Sequence, residues 1–104
     1  MKIKTLIEFK NSLSLEEPPD ELSVYGKALW HAGKDEWEKA HNIVQDMDDK
    51  SSALIHAFLH REEGDLSNAK YWYDKANSRM PDISLDEEWE KLVNLHGITL
   101  NVKQ

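Results

Sequence analysis

The residues best suited to chemistry in this chain are its five histidines. His31, His41, His56 and His60 each fall in a segment with helical periodicity. His56 and His60 are four residues apart, so on a helix their rings share one face and can grip one ion. Glu63 continues that stripe, but a rise of about 1.5 Å per residue sets it roughly 10 Å from His56 along the axis, too far for shared ligation. A third ligand must come from another helix, His41 first and His31 next. A set made of His41, His56 and His60 would take a divalent metal such as zinc. Ala57 follows His56, so the HExxH pattern of zinc proteases is absent. A hydrolytic version would use His56 or His60 as general base, Glu63 to orient it and Arg61 to hold an anion. No nucleophile motif accompanies these residues. Gly26, Gly33, Gly64 and Gly97 are isolated, so no phosphate-binding loop forms, and no catalytic residue is assigned.

The elements that must position these side chains can be read in order. Ile3–Leu13 fits a helix through Ile3, Leu6, Ile7 and Phe9, with a strand as the alternative. Pro18-Pro19 then separates residues 1–19 from the rest. With Asp20 as N-cap, residues 21–31 place Leu22, Tyr25 and Leu29 on one stripe, continued by Ala32. Asp35 to Glu38 has the form of a capping box and opens a helix with Trp37, Ala40, His41, Val44 and Met47 on one face. A third helix is expected from Ser52 to Glu63, ended by Gly64 in a left-handed conformation. Asp65 caps a fourth, striped by Leu66, Ala69, Tyr73 and Ala76, before Pro81. Ser84 to Glu87 is a second capping box, opening a helix with Leu85, Trp89, Leu92 and Val93 that Gly97 ends; residues 98–104 form a tail. Side chains of Tyr71, Trp72 and Tyr73 point about 100° apart. Tyr73 is expected inside and Trp72 against the last helix near Trp89, with Tyr71 left open.

Composition narrows the classes. The chain has 104 residues, 13 Lys+Arg against 20 Asp+Glu and a net charge of −7, which fits a single domain and argues against nucleic acid as a partner. The acidic excess falls in residues 20–50 and 82–104, mostly near expected helix starts, where it meets the positive end of the helix dipole. Residues 51–81 are balanced and hold the histidine pair. There is no cysteine, hence no disulfide and no thiolate metal site. No apolar run has a membrane span's length, and Glu8 arrives before a signal-peptide core, so the expected location is the cytoplasm.

The offset that carries Ala40 onto Ala69 also pairs Ala28 with Ala57, Leu29 with Phe58 and His31 with His60, which suggests an internal repeat. The string Gly64-Asp65-Leu66-Ser67-Asn68-Ala69-Lys70-Tyr71-Trp72-Tyr73-Asp74-Lys75-Ala76, followed by Pro81, resembles the second half of a tetratricopeptide or Sel1-like repeat. The resemblance covers residues 50–81 well and 21–47 loosely, with His60 where the repeat has Tyr. His56 to Arg61 with Glu63-Gly64-Asp65 and Asn68-Ala69 also resembles a small family of uncharacterised bacterial proteins. Helical periodicity with no strongly alternating strand pattern beyond the first segment makes the domain all-α, and the repeat resemblance implies its layout: an N-terminal segment and linker (1–19) whose helix caps the stack, two antiparallel hairpins (20–81), and a C-terminal capping helix and tail (82–104). It also implies that His31 and His60 pack in place of Tyr and hydrogen-bond across the hairpin. It further implies a concave surface of Tyr25, Leu29, Leu54, Phe58, Arg61 and Glu62, suited to a protein or peptide partner or to a second copy in a homo-oligomer. The expected function is thus an interaction or self-association module. The alternative is a small metal-binding or hydrolytic helical protein built on His41, His56 and His60.

Overall fold

The computed structural model describes residues 3–98, and every regular element among them is helical. Six α-helices follow in order: α1 (Leu6–Ser12), α2 (Val24–Gly33), α3 (Trp37–Val44), α4 (Lys50–Glu62), α5 (Leu66–Lys75) and α6 (Leu85–Leu92). A single π-helical turn, Val93–Gly97, continues α6. The all-α class is therefore observed. Among the described residues no helix is long and apolar enough to cross a membrane. Past Ile98, the expected tail lies outside the described residues.

Several helix starts follow the local chemistry. Thr5 and Glu8 form a capping box at α1, as Ser84 and Glu87 do at α6, so two otherwise orphaned N–H groups are satisfied at each start. Asp49 and Asp65 accept from Ser52 N and Asn68 N at the starts of α4 and α5. Three expectations need correction. α1 begins at Leu6 rather than Ile3, because Thr5 is extended (φ −134°, ψ 161°) and its side chain caps Glu8 N. α2 is capped by Ser23, not Asp20, since the chain first turns back on itself from Leu22 N to Pro19 O (3.2 Å). Asp35 does not cap α3: it sits in the left-handed region at φ 61°, and Glu36 takes the cap position without a side-chain bond. α5 stops before Pro81 because Asn77 adopts φ 56° and Ser78 N closes onto Tyr73 O (2.9 Å).

The turns that follow α2 and α4 close alike. Glu36 N donates to His31 O and Asp65 N to His60 O, both at 2.9 Å, around left-handed residues Asp35 (φ 61°) and Gly64 (φ 89°). α2 packs on α3 and α4 on α5, and α3 lies against α4. Fully buried Ala28, Ala40, Ala57 and Ala69 belong to these four helices. The π turn closes against α2 where both chains are glycine: a Cβ on Gly26 would stand 2.6 Å from Gly97 O. Trp89 Nε1 donates to Leu29 O (2.9 Å), and Trp30 Nε1 to Ser12 O (3.2 Å), so indoles tie α6 and α1 to the centre.

Candidate metal centre

Three helices build the histidine cluster. α4 supplies His56 and His60 one turn apart, α3 supplies His41, and α5 supplies Trp72 beside them. His56 and His60 are buried, at 4% and 7% exposure, and His41 is half-buried. His41 Nε2 and His56 Nε2 lie 3.0 Å apart with their rings nearly perpendicular. The His60 ring centroid is 4.9 Å from that of His56 and 5.3 Å from that of His41. One nitrogen from each of the three rings fits within 4.8 Å of the others.

Two indoles fix the ring planes. Trp37, one turn before His41, stacks on it at 4.7 Å and 10°, and its own Nε1 donates to Leu59 O (2.7 Å). Trp72 stacks on His56 at 3.9 Å and 16°. The His60 ring is fixed differently: its Nδ1 lies 2.7 Å from Glu63 Oε2. His56 Nδ1 is buried without a hydrogen-bond partner among the described residues. Burial lowers the His56 pKa to about 4, with His41 and His60 adding to the fall. Burial, followed by His60, also lowers that of His41, while Glu63 opposes the fall. Both rings are therefore neutral at pH 7, and neutral imidazole is the form that ligates a metal.

The structure brings His41, His56 and His60 together and keeps the other two histidines apart. His31 Nδ1 meets Glu36 Oε1 at 2.7 Å in its own turn, and that bond is the main reason the Glu36 carboxyl is held low. His96 Nδ1 lies 3.1 Å from Ser51 Oγ. The expected bonds of His31 and His60 across a hairpin are thus replaced by bonds to acids in the turns that follow them. Trp72 departs from expectation too, because it covers His56 while Trp89 packs on Phe9 at 5.7 Å. Trp37 was legible on the face of His41. Trp72 carried no local signal, since its meeting with His56 depends on how α5 is set against α4.

The expected apolar surface does not form as a groove. Leu29 (0%) and Phe58 (2%) are core residues, covered because α6 and the π turn close over α2 and α4. Tyr25 is half-buried and donates to Asp49 Oδ2 (2.8 Å); Leu54 is half-buried against the core. Arg61 is committed to Glu88 Oε1 (2.7 Å) and Ile83 O, so it holds no free anion site. Glu62 is half-buried, and its pKa is raised by burial and by Asp35 and Asp86. Phe58 and Glu62 do border a cleft of about 390 Å³ with Ala32, Leu85 and Trp89.

Comparison with known proteins brings no relative to bear on this arrangement: no family model, no curated protein and no solved structure matches the chain.

Proposed function

We propose that the protein binds one transition-metal dication, zinc foremost, through His41, His56 and His60. The observation that carries this reading is the 3.0 Å approach of two Nε2 atoms, with a nitrogen of the third ring inside the same 4.8 Å set. A tetrahedral ion with bonds of about 2.0–2.1 Å needs its nitrogens roughly 3.3–3.4 Å apart, so the His41–His56 pair opens by a few tenths of an ångström and the third nitrogen closes in by up to about 1.4 Å. An all-imidazole set suits zinc, copper, nickel or cobalt and disfavours magnesium and calcium, which prefer oxygen. Burial keeps His41 and His56 deprotonated, and the stacked Trp37 and Trp72 hold these two rings in place before any ion arrives.

The pairing of α2 with α3 and α4 with α5, with matching turns, supports reading the scaffold as two repeat-type hairpins of the tetratricopeptide kind, flanked by α1 and α6. In that scaffold the ion would join the first hairpin, through His41, to the second. The interaction-module reading rests on less. Of its surface, Phe58 and Glu62 border the open cleft, and Leu29 is shut inside.

Titration of the metal-free protein with cobalt(II) tests the proposal. One ion per chain and visible bands of low-symmetry nitrogen coordination are expected. His56→Gln and His60→Gln should each weaken binding by about 100-fold or more, beyond the range seen when only an outer partner is lost. Absence of cobalt and zinc binding at micromolar concentrations overturns the reading.

A further inference from the structure

Glu63 sits just past the end of α4, three residues after His60, at the point where the chain turns away through Gly64 at φ 89°. Asp65 N bonds back to His60 O at 2.9 Å, so the backbone wraps round His60 and returns the Glu63 side chain onto it. The contact is 2.7 Å from His60 Nδ1 to Glu63 Oε2, the length of a charge-assisted N–H···O bond. Asp65, the other carboxylate of this turn, is engaged at the start of α5 with Asn68 N (3.3 Å) and Ser67 Oγ (3.4 Å).

We infer that Glu63 is the positioning and charge-selecting residue of the ion site, holding His60 by Nδ1 so that Nε2 serves the ion, and favouring a dication over a monocation. This rests on the three-histidine reading above. An imidazole that donates through Nδ1 keeps its lone pair on Nε2, and the carboxylate behind it raises the basicity of that nitrogen. The charge contribution is separable from the orientation. Coulomb attraction between Glu63 and a bound ion scales with the ion's charge, whereas the choice of tautomer serves ions of either charge alike. Neutralising Glu63 must therefore cost zinc(II) more than silver(I), a monovalent ion that also accepts imidazole ligands. Lys70 and Asp74 pair with each other at 3.0 Å on α5, and Arg61 is committed to Glu88.

The test is a competition titration of the full chain and its Glu63→Gln and Glu63→Asp variants with zinc(II) and, separately, silver(I). Imidazole ¹⁵N shifts of the metal-free proteins are read in parallel. Glu63→Gln should lose about 10–100-fold in zinc affinity, the usual range for an outer partner of a ligating histidine. Its silver affinity should fall by a smaller factor, its His60 signal should leave the single Nδ1–H tautomer, and Glu63→Asp should recover part of the loss. Unchanged zinc affinity in Glu63→Gln overturns the positioning role. Equal losses for the two ions overturn the charge selection. Failure of the unsubstituted protein to take zinc at all instead removes the three-histidine reading itself, so the two ideas fail by different results.

Discussion

His56 is enclosed by Trp72 on one face and by the rings of His41 and His60, with its Nδ1 buried. Such surroundings oppose a positive charge, so the folded ring protonates only near pH 4 while the unfolded chain takes up the proton near pH 6.5. Between those values the unfolded state binds more protons, and stability rises with pH. The metal-free protein should thus lose about 2–3 kcal/mol of stability from this residue as pH falls from 6.5 to 4, since each tenfold difference in proton affinity between the two states is worth about 1.4 kcal/mol. The lowered pKa of His41 adds in the same direction. Urea melts at a series of pH values check this, and His56→Gln should flatten the dependence. The i,i+4 spacing made the pairing of His56 with His60 legible from the chain alone. Nothing in the local sequence announced that Trp72 would cover His56, because the two lie on different helices.

At the scale of elements, the short-range signals performed best where one residue type answers one backbone need. Ser84 with Glu87 and Asp65 with Asn68 N form the expected caps, and Gly64 takes the left-handed turn that ends α4. Asp35 misled because its type suits a cap, while the turn between α2 and α3 holds it at φ 61°, in the left-handed region that Gly64 occupies between α4 and α5. Gly26 has a different importance, invisible to local reading, since it admits the Gly97 carbonyl against α2. Gly26→Ala should cost about 1–3 kcal/mol, because backbone on both sides must move to relieve a 2.6 Å contact. Gly64→Ala, with nothing within 4 Å of the added Cβ, should cost only about 1 kcal/mol through its positive φ. Thermal melts of the two variants distinguish crowding from backbone strain.

For the whole molecule, α6 is the element that turns paired helices into an enclosed core. Glu88, 3% exposed, accepts from Arg61 of α4 at 2.7 Å and from Tyr73 of α5 at 2.6 Å, so one carboxylate joins three helices. Glu88→Gln leaves Arg61 half-buried without its anion and should destabilise by about 3–5 kcal/mol. Glu90→Gln, which breaks only the exposed pair with Lys10, should cost less than about 1 kcal/mol. Denaturant unfolding of both variants measures the difference. The closure by α6 also explains why Leu29 and Phe58, apolar at helical spacing, became core rather than a docking face: periodicity marks a face as buried without naming what buries it. The sequence by itself determined the all-α class, the caps of α5 and α6, the glycine turn that ends α4 and the histidine pair on α4, because capping, φ preference and i,i+4 geometry act within a few residues. Only the tertiary structure decided that His41 joins that pair, that Trp72 shields it and that α6 closes the expected groove. Those outcomes depend on how separate helices are set against one another, and packing across the whole core fixes that.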